Sequence, residues 1–463
     1  MANADHARCT RNESVSVNDT PRIRRVLTLR DLLLYGIIVI QPTAPLPAFG
    51  VVDTVAKGHV ATTILIGMFA MVLTAVSYGR MANAYPTAGS AYAYVGRELS
   101  PHLGFLTGWS IVLDYLLSPT IGTIWCSKAA MNILPLPYFV WVIFFAVLFT
   151  LINLRGIQAT AKANLVLTIG MTAVLVAFFI SAGGYLVGHF GWGSLLSTKP
   201  FYDPATFSWP LVSTGTSVAV LTYMGFDSIS TLSEDVVNPR RNILLATVLL
   251  CVITGVLGCL EVYAGQLIWP DFRSFPDADT AFVSAAGRAG GPFMFHLMNF
   301  TLLVATVGSS LGAQVGAVRL LYAMGRDNAI PRRFFGFLDP VRNTPVYNIL
   351  LTGGICIFGS FFLSYQVGAE LVNFGAFIAF IGVNLAVIRR YYWRGASHAL
   401  PSVLKNLLPP LAGALVCGYI WWSLRSPAKV VGFCWLFAGL LYYLWRTRFF
   451  STPIQLTSHI SDE

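Results

Sequence analysis

The chain has 463 residues, 56% of them hydrophobic and only 11% Asp, Glu, Lys or Arg. Soluble chains carry about 25% charged residues, and a polar surface this thin could not keep so much apolar side chain in water. With a formal net charge of +10 and a mean hydropathy of +0.67, the composition excludes disordered, fibrous and soluble globular classes. It leaves an all-α polytopic membrane protein whose solvent is lipid.

Residues 1–30 are polar, hold six arginines and lack the apolar core of a cleavable signal peptide. They read as a cytoplasmic N-terminal tail. Apolar runs of about 18 or more residues then mark spanning helices. Twelve are expected, at 31–56, 60–79, 103–127, 136–154, 164–187, 210–233, 243–267, 292–318, 346–365, 369–388, 407–424 and 429–447. With the N-terminus in the cytoplasm, twenty-three of the 30 Lys and Arg fall on the inner side and seven on the outer. That bias predicts both termini inside and accounts for the net charge without a nucleic-acid partner. Residues 449–463 form the cytoplasmic C-terminal tail. The seven cysteines show no CxxC or Cys/His spacing, and read as small apolar side chains.

The first run contains Pro42, Pro45 and Pro47 within six residues. In a regular helix each would leave a carbonyl without its donor: those of Ile38, Gln41 and Thr43. An unsatisfied carbonyl in hydrocarbon costs several kcal/mol, so this stretch is expected to line a protein or water cavity. Broken helices of this kind form midplane binding sites in transporters built from inverted repeats. Gln41, Pro42, Thr43 and Ala44 are therefore candidate substrate-binding residues. In a five-plus-five inverted repeat the first span pairs with the sixth. There Tyr223, Gly225, Phe226 and Asp227 put a flexible residue and a carboxylate inside an apolar run, the second expected break.

Asp114 lies well inside the third run. A carboxylate at that depth costs about 2.5–3.5 kcal/mol on insertion scales, so it should face a cavity or a partner. It is a candidate for the substrate ammonium, for the coupling proton, or for a structural pair. Tyr115 beside it points about 100° away around the helix. Asp227 would cap the second half of the sixth helix, where a carboxylate is favoured. Glu234 and Asp235 read as partners of Arg240 or Arg241. Glu261, in the seventh run, is expected near its outer end, with proton coupling as the alternative; His296 is expected at the interface. Ser309, Ser310 and Gln314 lie mid-run in the eighth. They would complete a sodium site with the freed carbonyls, or merely allow close packing.

Three further stretches carry a resemblance. They are Tyr85-Pro86-Thr87-Ala88-Gly89-Ser90-Ala91-Tyr92 with Gly104 to Trp109, Phe226-Asp227 with Leu232 to Asp235 and Pro239, and Arg319 to Asp327 with Pro331. In these the chain resembles the amino acid–polyamine–organocation transporters from about Thr28 to Trp445. Within that family it looks most like bacterial putrescine importers, through Gln41-Pro42 before Phe49-Gly50, Gly58-His59-Val60, Gly108-Trp109-Ser110 with Leu113-Asp114-Tyr115, and Gly225-Phe226-Asp227. The resemblance implies a ten-helix inverted-repeat core over 31–390, with helices 1 and 6 broken and two more helices over 391–448. It also implies a substrate site among spans 1, 3, 6, 8 and 10, and ion-coupled uptake. Two departures narrow it. Pro47 stands where such importers carry an Asp, which weighs against putrescine itself. Met171 stands where many amino-acid members carry a Lys thought to take the coupling proton.

The chain has no Walker loop, no HExxH, no GxSxG and no Cys/His cluster, so ATP-driven transport, catalysis and a metal or organic cofactor are not expected. The resulting expectation is a secondary importer of a small amine, polyamine or amino acid, coupled to a proton, or alternatively to sodium. An amino-acid symporter or exchanger of the same fold is the alternative within the class. A channel or a non-transporting amine sensor is the alternative outside it, disfavoured because no charged or carbonyl filter ring is visible. The sequence leaves the oligomeric state open.

Overall fold

Lipid offers the backbone no hydrogen-bond partner, so an apolar run that crosses it must satisfy its own N–H and C=O groups as a helix. The computed structural model describes residues 26–85, 91–156, 161–233, 235–326, 328–340, 344–395 and 400–447. All twelve apolar runs are helical, continuously or in pieces. In chain order the helices are α1 (Leu29–Ile40), α2 (Phe49–Val55), α3 (Val60–Ala84), α4 (Ala91–Glu98), α5 (Pro101–Met131) and α6 (Tyr138–Leu154). Then follow α7 (Ala161–Phe190), α8 (Trp209–Ala219), α9 (Pro239–Ile268), α10 (Ala281–Arg326) and α11 (Arg332–Phe335). The last are α12 (Val346–Phe362), α13 (Tyr365–Ile388), α14 (Leu400–Ser402), α15 (Leu408–Trp422) and α16 (Ser426–Arg446). Among the described residues there is no strand, only an isolated parallel bridge between Leu27 and Val236. Seven helical stretches among them are long and apolar enough to cross a membrane.

Helix ends follow local chemistry. Thr28 precedes α1, its N–H donating to the Asp31 carboxylate at 2.8 Å. Ser100 caps α5, its hydroxyl accepting from Leu103 N–H, and Pro101 fills the first helical position, where no N–H is needed. The eighth run departs from expectation. Its helix begins at Ala281 and bends at Gly290 and Gly291 just before Pro292, so the expected start at 292 is a kink rather than an end.

Long helices pack in pairs. α3 lies along α9, and α5 lies against both α10 and α13. Gly375 of α13 abuts the backbone of Ser110 and Asp114 in α5, an approach that a Cβ would block. α16 is pinned to α5 by Trp109 and Trp435, stacked at 4.8 Å, each indole donating to the other's carbonyl at 2.9 Å. Cys126, Cys251, Cys259, Cys356 and Cys417 are free and buried, as small apolar side chains would be; Cys434 is exposed. Cys9, the segment Pro86–Ser90, Glu234, Asp327 and both expected tails beyond 26–447 lie outside the described residues.

Candidate functional site

The first break forms where the prolines require it. α1 stops at Ile40, Gln41 takes a positive φ of 71°, and a tight turn leads into a short 3-10 segment, Leu46–Ala48, before α2. The expected set of freed carbonyls is corrected. Ala44 N–H donates to Gln41 O at 3.2 Å and Leu46 N–H to Thr43 O at 3.1 Å, so the turn re-satisfies two of the three. Only the Ile38 carbonyl keeps the loss that Pro42 imposes. Pro42 and Thr43 are buried, Ala44 is half-buried, and the Gln41 amide donates to Ala305 O of α10 at 3.2 Å.

The sixth run breaks by a different device. α8 ends at Ala219, a 3-10 turn runs over Val220–Tyr223, and Gly225 takes φ 104° before a second 3-10 segment, Phe226–Leu232. A Cβ on Gly225 would come within 2.9 Å of Val39 in α1, so the two breaks lie against each other. Asp227 lies in the first turn of the second segment, the end of a helix where a carboxylate is favoured. Phe226 is buried between Tyr78 and Phe380, with ring centroids 5.5 Å from each. Tyr223 turns to α3: it is fully buried and its hydroxyl donates to Ile64 O at 2.8 Å. Asp235 is held by its backbone, its carbonyl accepting from Val26 and Leu27 N–H in the segment that leads into α1.

Asp114 is half-buried on α5 and accepts from the Ser118 hydroxyl at 3.1 Å. It is within electrostatic reach of Asp227, and among the described residues no cationic side chain is paired with either. Pro119 removes the N–H that would otherwise close the helix on the Tyr115 carbonyl, one residue from Asp114. Tyr115 is 38% exposed and packs by its ring on Gly316 of α10, where an added Cβ would approach it to 2.8 Å. Gln41 and Tyr115 thus both reach α10, while Asp114 and Asp227 come within electrostatic reach of each other.

Other expected residues do not join them. Ser310 is buried and donates to Thr306 O at 2.7 Å, close against Gly122. Gln314 is held by Asn153 at 2.7 Å and Thr352 at 3.2 Å, away from the first break. Ser309 is exposed. Glu261 lies in the last third of α9, is buried completely, and neither carboxylate oxygen has a hydrogen-bond partner. Two further acids have the same signal, a carboxylate inside an apolar run, and sequence reading passed over both. Asp53 in α2 is fully buried with both oxygens unpartnered. Glu370 in α13 is fully buried, with one oxygen taken by Gln366 at 3.1 Å. Glu98 is the contrasting case. It is also fully buried, but Arg390 at 2.6 Å, Arg394 at 3.4 Å and the Tyr85 hydroxyl at 2.6 Å meet it.

A family model described as amino acid permease matches residues 32–452. The low-affinity putrescine importer PlaP of Escherichia coli is 34% identical over 95% of this chain and 98% of its own length. The methylthioribose transporter of Bacillus subtilis is 27% identical over 92% of this chain and 94% of its own. The branched-chain amino acid permease BcaP of Lactococcus lactis is 25% identical over 90% and 94% respectively.

Proposed function

The chain belongs to the amino acid permease family, and from that premise we propose that it is a secondary transporter importing a small cationic amine by alternating access. The observation that carries the choice of an amine is the pair of carboxylates, Asp114 and Asp227, close enough to act on one another with no cationic side chain between them. Two such charges repel unless a cation joins them. A substrate ammonium on Asp114 fits that need.

The first break supports an amine over an amino acid. A substrate carboxylate would need free N–H groups there. Of residues 42–48, three are proline, and the N–H groups of Ala44, Leu46 and Ala48 are already bonded within the turn. The relative named for putrescine points the same way. Pro47 removes a second anionic end from this region and favours an amine shorter than putrescine or with one charge.

The same reading takes all twelve runs as spans. Residues 31–390 form the ten-helix inverted-repeat core, with α1–α2 and α8 with its 3-10 continuation as the broken pair. Helices over 391–448 flank the core, and the tails 1–30 and 449–463 lie in the cytoplasm. The proton is the coupling ion, since Ser310 and Gln314 are engaged elsewhere and the first break offers few free carbonyls for sodium. Radiolabelled uptake by the purified protein in liposomes, with and without a pH gradient, tests this across amines and amino acids. Saturable amine flux enhanced by an inward proton gradient is expected. No substrate-dependent flux across the panel, or flux of amino acids alone, overturns it.

A further inference from the structure

We propose that Glu261 carries the coupling proton, at a site separate from the amine site; this rests on the proton-coupled reading above. Glu261 is on the face of α9 that backs both breaks. One turn before it, a Cβ added at Gly258 would lie 3.2 Å from Pro45 of the first break and 3.6 Å from Thr222 of the sixth run. One turn after it, a Cβ added at Gly265 would lie 3.2 Å from Phe49 and 3.0 Å from Phe282. Side chains on a helix lean toward its N-terminus, so the Glu261 side chain is directed back toward the Gly258 turn. The Thr222 hydroxyl is itself buried with no hydrogen-bond partner. An unpartnered acid and an unpartnered hydroxyl therefore both belong to the region where α9 touches both broken segments.

The carboxyl has 0% exposure, and no hydrogen bond or cation acts on it. An ionised carboxylate there would be uncompensated, which buried acids avoid by holding their proton. Cys251 and Cys259 of α9 act on Tyr223 of the broken run, and Asp227 acts on Cys251, but no titratable group of any element acts on Glu261. Glu98, equally buried, is met by two arginines instead. Alternating access moves the broken segments against their surroundings. Movement of Pro45 and Thr222 away from α9 would admit water to Glu261 and let the proton leave. No bond other than O–H is made or broken, and the proton passes to solvent on the far side.

Glu261→Gln reproduces the protonated side chain and removes the titration. In proteoliposomes the variant is expected to bind amine in a thermal-shift assay and to exchange internal for external labelled amine at equal pH, within about twofold of the unmodified protein. It should lose accumulation driven by an inward proton gradient. For one proton per substrate, one pH unit sustains about tenfold accumulation, and that tenfold should vanish. Glu261→Asp, which keeps a carboxyl, should retain gradient-driven accumulation. Persistence of the tenfold accumulation in Glu261→Gln overturns the proposal, as does loss of coupling in both variants while exchange survives. Loss of exchange together with coupling in Glu261→Gln but not in Glu261→Asp also overturns it, since it would place the group in the transport step rather than in coupling. If the unmodified protein exchanges amine but ignores the pH gradient, the proton-coupled reading itself fails, and the separate-site assignment with it.

Discussion

Asp114 and Glu261 are both single carboxylates within apolar runs, and the structure treats them in opposite ways. Asp114 is half-buried and holds a hydrogen bond from Ser118. It faces a second carboxylate beside a bent backbone. Glu261 is sealed in side chains with no partner at all. The first arrangement leaves a carboxylate open to a cation; the second closes one off. Depth in the membrane does not separate them. What separates them is how far neighbouring elements fill the space around each: Asp114 is left half-buried, whereas Glu261 is fully buried on the face of α9 packed by Pro45, Thr222, Phe49 and Phe282.

The largest expected effect tests the charged half of that contrast. Asp114→Asn should abolish uptake of a cationic amine, because removing one member of a desolvated charge pair costs about 2–5 kcal/mol, tens-fold to thousands-fold in affinity. The same protein should still shift its melting temperature normally without ligand. Unchanged amine uptake in Asp114→Asn would erase the distinction from Glu261. Next in size is the hinge that brings Asp227 toward Asp114. Gly225→Val must hold a branched side chain at φ 104° within reach of Val39. Backbone strain of this kind costs about 1–3 kcal/mol, so thermal unfolding should move down and uptake should fall. Wild-type stability in that variant would mean that the break tolerates a side chain and is not fixed by Gly225.

Two smaller changes sharpen the picture around Asp114. Ser118→Ala removes its neutral donor, worth about 1 kcal/mol. Amine affinity should weaken by about fivefold, with proton-driven accumulation preserved at saturating amine. Tyr115→Phe keeps the ring on Gly316 and deletes only a hydroxyl. Uptake should stay within about twofold; a tenfold loss would place that hydroxyl on the substrate. In both, the ratio of uptake with and without a pH gradient separates effects at Asp114 from effects at Glu261.

Much of the fold was legible in the chain itself. Twelve apolar runs become helices or broken helices because hydrocarbon leaves a backbone no other way to bond its polar groups. Pro42, Pro45 and Pro47 announce the first break, since a missing N–H is a local fact. The second break was legible only through its spacing from the first: Gly225 permits a left-handed residue but does not demand one, and the contact with Val39 is what makes it glycine.

The acids show where sequence stops. That Asp53, Asp114, Glu261 and Glu370 lie inside apolar runs is written in the chain. Whether each meets a cavity, a partner or nothing is not, because successive residues point about 100° apart around a helix and only the packed neighbours decide which directions are filled. The chain by itself determined a helical membrane protein with a proline-broken first span and a handful of costly carboxylates. Tertiary structure alone decided that Asp114 and Asp227 come within electrostatic reach of each other, that Tyr223 and Gln314 bond to other helices, and that Glu261 is buried without a partner. Those outcomes depend on contacts between segments far apart in sequence, which no local pattern encodes.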